Sequence, residues 1–209
     1  MATAADDECA IGAFRTLAPS LGAIRSASTP DMGLPPPDLQ TTFGIPAKAP
    51  LGGAGTGPNP TDRGKSGTKR SLLTDGCGVP LGVAVAGANR TDMKMVRATL
   101  ETQVGARPQP TPQAPQNLCL DKGYDFDEVR EILAEFGYLP HIRARGEETQ
   151  AKQPIPGYRA RRWVVERTHS WMNRFRRLLI RWEKKVANYL AMLEFACAFI
   201  AFRAAKVFG

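Results

Sequence analysis

The sequence predicts an α/β fold, a mixed sheet with helices packed on it. Three observations point there. Two β-prone runs are joined by a Gly-rich turn, a strand–helix–strand unit follows, and two further helices close the chain. The 209 residues suit one domain with a tail and can bury a core of ordinary size.

Residues 1 to about 60 show no sustained periodicity and are rich in Ala, Gly, Ser, Thr and Pro. Disorder or loosely packed coil is the expectation there. One β-prone patch, Thr41-Thr42-Phe43-Gly44-Ile45, predicts a short strand that Pro46 stops. Residues 69–74 and 79–86 read as strands joined by Asp75-Gly76-Cys77-Gly78. Met93, Val96 and Leu100 then mark the inner side of a helix over roughly 92–103, and the proline-rich stretch 105–116 is a connector. A brief strand at 117–120 ends at Asp121. Asp125-Phe126-Asp127-Glu128 carries a capping-box-like signal for a helix with Val129, Ile132, Leu133 and Phe136 inside and Gly137 at its end. Residues 138–143 return as a strand, and 146–157 form a polar loop.

The stretch 159–185 has the sharpest pattern. At 3.6 residues per turn, Val164, Trp171, Phe175, Leu178 and Trp182 share a stripe, with Arg162, Glu166, His169, Asn173 and Arg177 opposite. Its surplus of positive over negative side chains equals the formal net charge of the whole chain, +8. A solvated basic face is the ordinary outcome of such a run. The sharper alternative is a helix that lays a nucleic-acid backbone beside the carboxylate of Glu166. Trp163, Trp171 and Trp182 are candidates for base stacking, but core packing fits the stripe better. The last segment, 186–206, reads as an apolar core helix, its run at 190–202 being too short for a bilayer.

Other signals exclude more than they assert. Cys9, Cys77, Cys119 and Cys197 are far apart and have no zinc-ligand spacing, so reduced thiols in a cytoplasmic protein are expected. The opening Asp6, Asp7 and Glu8 are unlike a signal or transit peptide. Gly64-Lys65-Ser66-Gly67 lacks the spacing and the following helix of a phosphate-binding loop. The pI near 9.6 favours a polyanionic partner, nucleic acid rather than membrane.

Two carboxylates stand out by position. Asp121 ends a buried-looking strand, where open α/β sheets place ligands, and Glu166 sits on the basic helix. Together they have the chemistry to hold hard cations through oxygen. Two Mg²⁺ roughly 4 Å apart activate a nucleophile and stabilise the leaving oxygen in phosphodiester chemistry. Taken singly, a turn-forming Asp121 and a Glu166 paired with Arg162 are the simpler readings.

Strings of residues now bear on the choice. Leu120-Asp121-Lys122-Gly123-Tyr124 resembles the second-aspartate motif of DDE transposases of bacterial insertion sequences. Residues 163–177, WVVERTHSWMNRFRR, resemble their glutamate motif, and 58–70 with the hairpin after it looks like the same group. The likeness is greatest to the insertion-sequence-five type (IS4-like catalytic domains) and runs from about Lys48 to the C-terminus. It implies a ribonuclease-H-like fold with its first strand degenerate. It further implies a disordered or unrelated segment at 1–47 and an incomplete catalytic domain at 48–209. By motif position Asp121 and Glu166 carry over as catalytic metal carboxylates, for Mg²⁺ or Mn²⁺. Arg162 matches the arginine of the family's Tyr-Arg-Glu-Lys signature, whose tyrosine and lysine are out of register here.

The family's first aspartate corresponds to Phe43, and Asp38, Asp62 and Asp75 are poor substitutes. Without it, a two-cation site is under-compensated. A new or frameshifted 5′ end would account for both the loss and the composition of 1–47. The resemblance therefore implies a transposase for metal-dependent cleavage and strand transfer at insertion-sequence ends, in an inactive copy. The alternative is a non-catalytic DNA-binding remnant that interferes with intact transposase. Expected partners are double-stranded DNA (the transposon ends) and a second copy or an intact transposase, in the bacterial cytoplasm at the nucleoid. The expected DNA contacts are Arg162, Arg167, His169, Arg174, Arg176, Arg177 and Arg181.

Overall fold

A computed structural model describes residues 39–105, 109–111, 115–142 and 162–205, with side chains from Gly44 in the first strand and from Val164 in the helix that opens at Arg162. The central strand, β1 (Leu39–Lys48), pairs antiparallel with β3 (Ser66–Thr74), from Thr41↔Thr74 to Lys48↔Gly67. On its other side it pairs parallel with β5 (Gln116–Leu120), from Leu39↔Asn117 to Thr41↔Cys119. β4 (Pro80–Gly87) lies antiparallel to β3, and β6 (Tyr138–Ile142) lies parallel to β5. The two-residue β2 (Gly57–Pro58) touches the start of β3. The order β4-β3-β1-β5-β6 is a mixed sheet, as expected.

β1 departs from its sequence reading in length. It starts at Leu39 and runs on through Pro46, so the folded unit begins before the boundary drawn at 47/48. The proline is tolerated because β1 parts from β5 after Thr41. Between that point and the bridge to Ile180 at Lys48 this side of the strand has no ladder partner, so a missing N–H there breaks no ladder bond. The backbone of this strand is thus regular from Leu39 to Lys48.

The β3–β4 hairpin forms as predicted. Asp75 Oδ1 accepts from the N–H groups of Cys77 and Val79, both at 2.8 Å, and Gly78 turns the chain at φ +80°. β3 is buried on both sides. Leu72 joins Val83, Val165, Met172, Leu178, Tyr189 and Leu193 on one face, and Leu73 joins Val96, Leu100, Leu118, Val129 and Leu133 on the other. Two consecutive leucines feeding opposite clusters follow from the period of two in a strand.

The second face is covered by α1 (Val96–Glu101), which a 3₁₀ turn at Met93–Met95 leads into, and by α2 (Asp127–Glu135). α2 makes the crossover that the parallel pair β5–β6 requires. The capping box expected at its start is absent: Asp125 instead holds Arg130 at 2.6 Å. Gly137, at φ +70°, turns the chain out of α2 as predicted.

The first face is covered by α3 (Arg162–Met172), α4 (Arg176–Leu179) and α5 (Val186–Ala204). The continuous basic rod expected over 159–185 is therefore broken twice. At the first break Asn173 Oδ1 accepts from the buried guanidinium of Arg70, and Phe175 turns extended at ψ 92°. Beyond α4, Ile180 forms a parallel bridge with Lys48 and the Arg181 N–H donates to Lys48 O at 2.8 Å. Contacts with β1 and β3 outweigh local helix propensity here. Trp182, leaving the helix with this turn, is 46 % exposed rather than on the apolar stripe.

Candidate active site and basic surface

Asp121 is the residue on which β5 ends. Its backbone is extended (φ −70°, ψ 158°) and its Oδ1 accepts from the Lys122 N–H at 2.8 Å, starting the 3₁₀ turn Lys122–Tyr124. That bond uses one lone pair and leaves the half-exposed carboxylate able to accept more. Below it, Tyr124 is buried. Burial pushes its phenol up strongly, and the carboxylates of Asp92 and Asp121 push it further.

The β1–β5 ladder ends where Thr41 pairs with Cys119, two residues before position 43 on one strand and two before Asp121 on the other. On its other side position 43 pairs with Leu72, which belongs to the face covered by α3, α4 and α5. α3 packs across β1 and β3, and Glu166 is exposed on it. The elements bearing positions 43, 121 and 166 thus meet at β1.

The other carboxylates near β1 do not take the place of a residue at 43. Asp62 lies 3.7 Å from Lys48, and Asp75 is committed to its turn. Asp92, which sequence reasoning passed over, comes closest. Its Oδ1 occupies the space that a side chain at Gly44 would need, and it pairs with Lys69 at 3.0 Å. Gly44, however, pairs with Ser71, whose hydroxyl meets Thr99 of α1 at 2.8 Å. That is the opposite face of the sheet from α3. Asp38 lies outside the described residues.

The orientation of α3 corrects part of the sequence reading. Val164, Val165, Thr168, His169 and Met172 are buried, while Glu166 and Ser170 are exposed. The helix is rolled so that Thr168 reaches the hairpin, donating to Gly78 O at 2.7 Å. A Cβ at Gly78 would stand 2.9 Å from that hydroxyl oxygen, so the approach depends on glycine. Arg167 follows, donating to Cys77 O at 2.6 Å and lying 4.8 Å from the centre of the Trp171 ring.

Of the expected DNA contacts, His169 is therefore a correction, because at 1 % exposure it does not reach a phosphate. Arg181 is another. It is 1 % exposed, and its guanidinium donates to Ala54 O, Gly55 O, Glu183 O, Lys184 O and Thr68 Oγ1 at 2.6–3.3 Å. Five donors in a fixed fork suit that ring of acceptors. Arg167 is half-buried in its structural role, and the side chain of Arg162 lies outside the described residues. Arg174, Arg176 and Arg177 remain exposed around the α3–α4 break, Arg177 paired with Glu183 at 2.8 Å.

Residues 40–200 match the family model described as Transposase DDE domain. The chain belongs to this DDE transposase family. It is 38 % identical, over 148 residues, to a putative transposase for insertion sequence element IS402 of Burkholderia cepacia; the match covers 69 % of this chain and 67 % of that protein. It also matches the solved Mos1 mariner paired end complex with Mn at 11 % identity and a TM-score of 0.33, spanning 65 % of that chain.

Among the described residues no three His, Cys, Asp or Glu side chains stand close enough together to share an ion. Two divalent ions need more closely set ligands than these side chains supply.

Proposed function

We propose that this chain is the catalytic portion of an insertion-sequence transposase of ribonuclease-H-like fold. In this copy, we infer, phosphodiester cleavage is lost while DNA binding is kept. The catalytic unit starts with β1 rather than at 48. Asp121 and Glu166 are the retained metal-site carboxylates, and position 43 is the lost one. The observation that supports this reading is the pairing of position 43 with Leu72 on the sheet face that α3 covers, two residues beyond the end of the β1–β5 ladder that leads to Asp121. Two carboxylates leave the charge of two divalent ions under-compensated, so neither affinity nor geometry is sufficient for cutting.

DNA retention rests on separate residues. Arg174, Arg176 and Arg177 project from a surface turn and need no metal. Such a protein occupies transposon ends without cutting them, and so interferes with an intact transposase.

The test uses purified full-length chain, its cognate ends, and Mg²⁺ or Mn²⁺. No nicking is expected, while the DNA is retained in a gel-shift assay. Glu166→Gln leaves retention unchanged. Replacing Arg174, Arg176 and Arg177 together by Gln weakens it and flattens the salt dependence, the slope of log K against log[salt] falling by about 3. Nicking by the parent chain, abolished by Asp121→Ala, would overturn the loss of function. An unchanged salt slope would remove the three arginines from the interface.

A further inference from the structure

α5 is apolar all round, and only one side of it is used. Tyr189, Leu193, Ala196, Cys197 and Ile200 are buried against the sheet. On the far side Phe195, Phe199 and Phe202 are 71 %, 44 % and 39 % exposed. A helix with two apolar faces belongs between two layers, and among the described residues no second layer covers this side.

The exposed side has a definite pattern. Asn188, Ala191, Phe195, Ala198 and Phe202 recur at alternating steps of three and four, the spacing of a heptad seam. Along that seam phenylalanine alternates with alanine. Set two such helices antiparallel about a two-fold axis between residues 196 and 197. Phe195 then falls level with the second copy's Ala198, and Phe202 with its Ala191. Both phenylalanines of the seam then meet an alanine. Ala191 also lines a groove of about 340 Å³ with Phe175, Arg177, Leu178, Met192 and Phe195. The incoming Phe202 is directed to this groove, whose Arg177 is already answered by Glu183. A seam complementary to itself under a two-fold is what an isologous dimer interface requires.

We propose that the far face of α5 is a self-association surface, occupied by α5 of a second copy running antiparallel. The area is consistent with a modest affinity. At about 200 Å² for a whole phenylalanine, the three rings leave roughly 300 Å² exposed per copy. Two copies therefore supply about half of the ~1,200 Å² at the low end of specific interfaces. Met192, the alanines and the groove walls must supply the rest. The proposal goes beyond the proposed function and is independent of whether the chain binds or cuts DNA.

The test is sedimentation velocity on the full chain without DNA, from about 1 to about 100 μM. A concentration-dependent dimer is expected. Phe195→Glu weakens it at least about tenfold, and so does Ala198→Lys. Circular dichroism checks that each variant is folded, since Phe195 is exposed but Ala198 is half-buried and packs against the core. Mixed together, the two variants form a heterodimer, because Glu at 195 then faces Lys at 198 of the other copy. A wild-type chain that stays monomeric throughout would overturn the proposal. So would a dimer indifferent to both substitutions, or a mixture that fails to associate.

Discussion

Phe43→Asp is expected to return both metal binding and cleavage. Position 43 pairs with Leu72 on the face over which α3 packs, and it lies two residues past the Thr41–Cys119 pair, as Asp121 does on β5. An added carboxylate there completes a three-acid donor set. In the absence of divalent ion its charge is poorly compensated, and the variant melts below the parent. With Mn²⁺ at about a hundred times its dissociation constant, linkage adds about 2.7 kcal/mol. That is a rise in Tm of roughly 5–10 °C for a chain of this size. The parent's Tm does not respond to Mn²⁺. Nicking of cognate ends rises at least about 10²-fold above the parent's background, the scale set by one well-placed charge contact in a transition state. Asp121→Asn in the Phe43→Asp background removes both effects. If differential scanning calorimetry shows no Mn²⁺ response in a cooperatively folded Phe43→Asp chain, position 43 is not the missing ligand site.

The division between what the sequence made legible and what it hid follows the range of the interactions. The β3–β4 hairpin was legible because its determinants are local: an Asp that bonds its own turn and a glycine at positive φ. α2 ended where Gly137 predicted for the same reason. Asp121 was legible as a strand-end residue, and the motif around it identified the family. The basic segment was misread where tertiary contacts decide. Its helical period is strong through Met172, but Arg70 comes from more than a hundred positions upstream to hold Asn173 at the break, and Lys48 captures Ile180 as a bridge. The roll of α3 was set by Gly78, whose missing side chain admits Thr168 and carries His169 inward with it. β1 was read as too short because Pro46 stops a strand with neighbours on both sides, and the loss of β5 after Thr41 cannot be seen in a one-dimensional pattern.

Arg181 gives the clearest contrast between a charge in the sequence and its role in the fold. Read as part of a basic face, Arg181→Ala weakens DNA binding and leaves stability nearly unchanged. The structure predicts the reverse. The guanidinium ties the loop at Ala54 and Gly55 to the segment between α4 and α5, and lies 5.6 Å from the centre of the Tyr189 ring. Truncation strands several carbonyl oxygens that bulk water does not readily reach, at about 1–3 kcal/mol for each one left without a partner. Relaxation of the loop recovers part of this, leaving a net loss of roughly 3 kcal/mol. The expected fall in Tm is about 6–12 °C. Arg181→Lys recovers little of it, because an ammonium cannot span acceptors arranged around a planar fork. Arg177→Ala, which removes an exposed ion pair with Glu183, costs about 1 kcal/mol or less. DNA affinity per folded molecule runs the other way, unchanged in Arg181→Ala and reduced in Arg177→Ala. Thermal melts of these three variants, with gel shifts below their melting range, separate the two accounts. A stable Arg181→Ala chain with weakened DNA binding would return this residue to the nucleic-acid surface.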